Sequence, residues 1–86
     1  MEDPKTFGDA LASYTFVRIR DEGLTTSETS TLFGIKVAQR VREMEDQGWS
    51  GGAIGDWVGI VAASYAERLD ELLIPVAADA LGTEPR

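Results

Sequence analysis

Apolar residues recur at helical spacing through most of this chain, most regularly between Ser50 and Leu73. At 100° per residue, Ile54, Trp57, Val58, Val61, Tyr65, Leu69 and Leu72 fall on one broad stripe, wide enough to be the buried face of a central helix. Beside it runs a row of small residues, Gly55, Gly59 and Ala63 at i, i+4 and i+8, flanked by Ala62 and Ala66. A glycine inside a helix costs about 1 kcal/mol relative to alanine, so two in one row suggest that another backbone passes close by. That backbone belongs either to a helix of the same chain or to a second copy. In the second case Gly55, Gly59, Ala63 and Ile60 form a self-association face, and Trp57, Ile60 or Ile74 must supply the apolar area that a small-residue row lacks.

The preceding segments read as two further helices. Asp3 and Pro4 give an N-cap with proline at the first helical position, and Thr6 with Asp9 offers a second start within the same turn. Phe7, Ala10, Leu11, Tyr14 and Val17 form the expected inner stripe, with Phe16 and Ile19 on the other side near Arg18 and Arg20. The stretch YTFVRIR is rich in β-branched and aromatic residues, so a short strand over Tyr14 to Arg20 is the competing reading. Gly23 is placed to end the helix in the left-handed conformation. Thr25 and Glu28 have capping-box spacing and open a second helix that stops at Gly48, with Phe33, Val37, Val41 and Met44 as its inner row. Leu32, Ile35 and Ala38 broaden that row, which predicts cover on more than one side. Pro75 removes a backbone donor, so the last apolar stretch should kink or restart as a short helix ending at Gly82. The expectation is therefore all-α: one domain with helices at about 4–22, 26–47, 51–74 and 76–81, the first three forming the core and a short fourth following Pro75.

Composition narrows the chemistry. The 86 residues include neither cysteine nor histidine, so the usual zinc sites and nucleophile–base pairs are lacking, which argues against an enzyme and predicts no metal and no cofactor. A net charge of −7, from 15 acidic and 8 basic residues, opposes generic binding to a phosphate backbone and favours a basic partner surface. The start MEDPKTFGDA carries acids where a signal peptide would carry positive charge and an apolar run. The most apolar stretch, around Ile54 to Ala66, contains Asp56 and falls short of the roughly 20 residues a bilayer requires. A cytoplasmic location is the corresponding expectation.

Three constellations bear on function. The segment from Gly23 to Trp49 reads at first glance as a helix-turn-helix with Gly34 in its turn, the reading that would make the chain a winged-helix-like DNA-binding regulator. Lys36, Arg40 and Arg42 favour it. Counting back from Gly48, however, the inward positions fall on Met44, Val41 and Val37, which leaves only Ile35 and Lys36 for a turn and the start of a second helix. One continuous helix fits that spacing.

Trp49, Ser50 and Gly51, between two predicted helices, resemble the turn of the small secreted helical hairpins of the W-x-G family. The resemblance implies export by a specialised secretion system and pairing with a like partner. Gly23 and Leu24 break what would be one long first helix in that family. Its tyrosine-plus-acid export signal is missing, since Tyr65 lies within the core stripe. A tryptophan that closes a hairpin over the core explains the same residues without the family.

Asp56, Glu67, Asp70 and Glu71 line the outer side of the central helix, and Asp79 and Glu84 extend the acidic character beyond it. With Phe16 and Arg20 on the first helix they form the candidate partner-binding set. These carboxylates have no neighbouring histidine or metal cluster to tune them for catalysis, and a charge run on a helix is commonly a solvated face. The sequence thus points to a non-enzymatic protein-binding module, a small acidic inhibitor or adaptor of bacterial or phage origin that acts on a basic protein surface. A homodimer is the further expectation.

Overall fold

A computed structural model describes residues 3–81, with the backbone alone for 75–81. It is all-helical: α1 spans Pro4–Glu22, α2 Thr26–Asp46 and α3 Gly51–Leu81. The ends form for the reasons the sequence suggests. The Asp3 carboxylate accepts the Thr6 amide at 3.0 Å, and Gly23, at φ 67°, ends α1 by donating its N–H to the Ile19 carbonyl. The capping box at α2 is complete, with the Glu28 amide donating to the Thr25 hydroxyl at 3.1 Å and the Thr25 amide to the Glu28 carboxylate at 2.9 Å. Gly48, at φ 87°, turns the chain so that the Trp49 amide reaches back to the Met44 carbonyl. The Ser50 hydroxyl then caps α3 by accepting the Ala53 amide at 3.1 Å. The alternating stretch Tyr14 to Arg20 is helix throughout.

The helices run up, down, up. Phe7 near the start of α1 meets Trp57 near the start of α3, their ring centroids 5.1 Å apart, and Ile19 near the end of α1 lies with Leu69 and Leu73, so α1 and α3 are parallel. Phe33 in the first half of α2 stacks on Tyr65 at 4.4 Å, and α2 returns to the Trp49 turn antiparallel to both. Leu11, Val37, Met44, Trp57 and Val61 are the buried core, with Phe7, Phe33, Val41, Trp49, Ile54, Val58 and Tyr65 packed around it. The stripe expected on the central helix packs from Ile54 to Tyr65, while Leu69 and Leu72 are half-buried beyond the core.

Four expectations need correction. The inner face of α1 keeps Phe7 and Leu11 but is completed by Gly8, Ala12 and Thr15 rather than by Ala10, Tyr14 and Val17, which are exposed. The cause is steric. Small residues let the α1 and α3 backbones approach, and a Cβ on Gly8 would stand 2.7 Å from the Val61 carbonyl oxygen and 2.9 Å from Ser64 Cβ. Tyr14 instead lies outside, its ring within 5.6 Å of both the Arg18 guanidinium and the Lys36 ammonium. The row Gly55, Gly59, Ala63 is not where a helix of the same chain passes: all three are exposed, and a Cβ on either glycine would meet no atom within 4 Å.

Nor is α2 covered on more than one side, since Ile35 is 51% exposed and Ala38 is exposed as well. Finally, no separate fourth helix follows Pro75, because α3 is a single helix of 31 residues that runs through it. Proline's fixed φ is already helical, so what it loses is its own N–H and the comfort of the preceding turn, and helix on both sides holds the segment together. No helix among the described residues is long and apolar enough to cross a membrane.

Candidate functional site

With α1 on one side of α3 and α2 on the next, the remaining face of α3 is open from Gly51 to Ile74. Along it Gly52, Gly55, Gly59, Ala63 and Ala66 are exposed, and Ile60 and Ile74 remain 48% and 63% exposed. Isolated exposed apolar residues such as the two isoleucines are ordinary, but Gly55, Gly59 and Ala66 share one face, with Asp56, Glu67 and Asp70 between them and Ile60. Towards its lower end this face runs into a groove of about 460 Å³ where the end of α1, the start of α2 and α3 meet. Ile19, Leu24, Phe33, Tyr65, Leu69 and Leu73 form its apolar walls, and Thr26, Thr29 and Ser30 bring hydroxyls to its α2 side. The Tyr65 hydroxyl is buried without a hydrogen-bond partner among the described residues. Leu69 and Leu73 belong to both the groove and the helix face, so the two form one surface.

The acidic residues do not make a single site. Asp56, Glu67, Asp70 and Glu71 are all exposed on α3. Glu67 and Glu71 border a shallow hollow against Lys5, Asp9 and Ser13 of α1, while Asp56 lies three turns earlier. Glu71 pairs with Arg68 at 3.1 Å and Asp9 with Lys5 at 3.2 Å, exposed pairs of the kind that contribute little to stability.

Phe16 and Arg20 sit apart on α1. The Arg20 guanidinium lies 5.9 Å from the Phe16 ring centre and donates to the Asp21 carboxylate at 2.9 Å, the hydrogen bond that holds its pKa above the usual value. Arg18 is raised likewise, first by its hydrogen bond to Glu22, 2.7 Å away, and then by the Tyr14 hydroxyl. On α2, Lys36 faces the Tyr14 ring and Arg40 pairs with Glu43 at 2.7 Å, so the basic face of that helix is engaged with its own neighbours.

Gly34 is exposed within an unbroken α2, and no helix-turn-helix is formed between Gly23 and Trp49. Trp49 does close the α2–α3 hairpin and is half-buried against the core. The described residues include no cluster of three His, Cys, Asp or Glu that could hold a metal ion.

The feature that sequence reading missed is the groove, because it depends on where α1 ends against α3. Its signal is the small-residue set Gly8, Ala12 and Thr15, which fixes how closely and at what rotation α1 docks. No protein-family model, curated protein or solved structure matches this chain, so its function is argued from this surface alone.

Proposed function

We infer that this chain is a non-enzymatic protein-binding module, an adaptor or inhibitor that docks a helix along the open face of α3 and into the adjoining groove. One observation carries the reading: Gly55, Gly59 and Ala66 are exposed on a face of α3 that continues into the half-buried Leu69 and Leu73 of the groove. Amphipathic helices are recognised in this way, by apolar anchors at helical spacing laid into a groove. The flanking Asp56, Glu67 and Asp70, with the net charge of −7, favour a partner whose docking helix is bordered by lysine and arginine.

The test is capture from a native extract with the parent chain and with Ala66→Glu, which sets a charge on the strip at an exposed position outside the core. A basic protein retained by the parent and lost by Ala66→Glu supports the reading, the more so if added salt weakens its capture. Identical retention by both chains would count against it.

A further inference from the structure

The groove at the junction of the three helices differs in kind from the other hollows of this surface. Those have Lys, Arg, Asp or Glu in their walls. Among the described residues, the walls of the groove carry no charged side chain. In a chain of which 27% is charged, that leaves an uncharged recess of about 460 Å³, within the range of about 300–1,000 Å³ that small-molecule sites occupy. Ile19, Leu24, Leu69 and Leu73 form its apolar sides, each half-buried, and the stacked rings of Phe33 and Tyr65 add an aromatic wall.

The polar side chains of these walls are all hydroxyls. A serine or threonine inside a helix can donate its hydroxyl to the carbonyl one turn back. Thr15 does so to Leu11 at 2.8 Å and Thr31 to Ser27 at 3.0 Å. Thr26, Thr29 and Ser30, which line the groove, make no side-chain hydrogen bond among the described residues, although Thr29 is half-buried. The Tyr65 hydroxyl is closed to water and likewise has no partner among the described residues. A buried hydroxyl left unpaired is costly and uncommon, so one in the wall of an apolar recess points to a group that the recess receives.

The two sets of walls define that group. A plain hydrocarbon would cover the apolar sides but strip water from the hydroxyls without replacing its bonds. A carboxylate or phosphate would find no cationic side chain in the walls, within a chain of net charge −7, and an ammonium would find no carboxylate there. A ring compound with one hydroxyl satisfies both sets. Its ring packs on Phe33, Leu69 and Leu73, and its hydroxyl both donates and accepts among hydroxyls.

We propose that the groove is a binding site for a small uncharged ring compound that carries a hydroxyl, a phenol or a cyclic alcohol. Thr29 and Tyr65 are the hydrogen-bonding residues on which the site depends most. The inference concerns the groove alone and does not require that a helix docks along the open face of α3.

The test is titration of the full, isotope-labelled chain with β-naphthol, which is uncharged at neutral pH, followed by backbone amide shifts. Saturable shifts should concentrate at Thr29, Ser30, Leu69 and Leu73. Naphthalene, which lacks the hydroxyl, should bind about three- to tenfold more weakly, and the charged β-naphthoate more weakly than naphthol as well. Thr29→Val keeps the shape of the side chain, and Tyr65→Phe keeps the ring. Each should lower the affinity for β-naphthol and leave that for naphthalene unchanged, a difference that a merely structural role would not produce. If naphthalene and β-naphthoate bind as tightly as β-naphthol, or if neither variant weakens β-naphthol, the proposal is overturned. Shifts centred on Gly55 and Gly59 instead of the groove overturn it too. A chain that captures an extract partner sensitive to Ala66→Glu, yet shows no saturable shift with β-naphthol, overturns this site and leaves helix docking standing. Saturable binding in the groove without such capture leaves the site standing and removes the docking reading.

Discussion

Replacing Gly8 by alanine adds one methyl group at the tightest point of the molecule. Built on the present backbone, that carbon lies 2.7 Å from the Val61 carbonyl oxygen, 2.9 Å from Ser64 Cβ and 3.1 Å from the Tyr65 amide nitrogen. The nearest contact is roughly 0.8 Å inside the ~3.5 Å at which unbonded heavy atoms sit comfortably. Two of the three obstacles are backbone atoms of α3, so no side chain can swing aside, and α1 must draw back. A gap of that size forfeits a quarter to a half of each dispersion contact across the seam, and overpacking of this kind costs about 1–3 kcal/mol. Alanine's better helix propensity returns about 1 kcal/mol. The expected net loss is up to about 2 kcal/mol, or up to roughly 15 °C in melting temperature for a domain of this size. Urea and thermal unfolding followed by circular dichroism measure it, with Gly34→Ala as the control. Gly34 is exposed, with no atom within 4 Å of an added Cβ, so the same change there should stabilise by up to about 1 kcal/mol. If Gly8→Ala gains stability as the control does, the close approach of α1 to α3 is refuted.

Trp57 is 4% exposed, and its ring packs on Phe7. Trp57→Ala should therefore cost about 3–5 kcal/mol, enough to unfold much of the population at ambient temperature, as loss of near-UV dichroism would show. Trp57→Phe should cost less than half as much, because the indole N–H has no hydrogen-bond partner among the described residues to lose; equal costs for the two variants would contradict that environment. Thr25→Ala removes one arm of the capping box and should destabilise by about 1 kcal/mol in urea unfolding, whereas Thr26→Ala, outside the box, should be nearly neutral.

Much of the fold is legible in the sequence because its signals are local. Asp3, Gly23, Thr25 with Glu28, Gly48 and Ser50 each settle a helix end through bonds within a few residues of themselves. The stripe from Ile54 to Tyr65 is read correctly because bulky apolar residues at helical spacing have one sensible destination. Rotation of α1 is not legible in that way. Size misleads there, since Tyr14 and Val17 are apolar yet exposed, while Gly8 and Ala12 are small and form the interface. The same error assigned close packing to Gly55 and Gly59, when the glycine that a neighbouring backbone presses on lies in the other helix. Pro75 misleads because a helix already propagated on both sides tolerates one absent amide. As for the site, the small-residue row is visible in the sequence as a candidate. Its continuity with a groove walled by Ile19, Leu24 and Phe33 depends on how three helices end against one another.

The most direct measurement of the docking account of α3 is thiol protection. The chain has no cysteine, so Gly59→Cys and Ala53→Cys each give one labelling position, both exposed on α3 and about a third of a turn apart around it. Binding of the captured partner should slow alkylation at position 59, on the open face, and leave position 53 nearly unchanged. Equal rates at position 59 with and without the partner would contradict docking along that face.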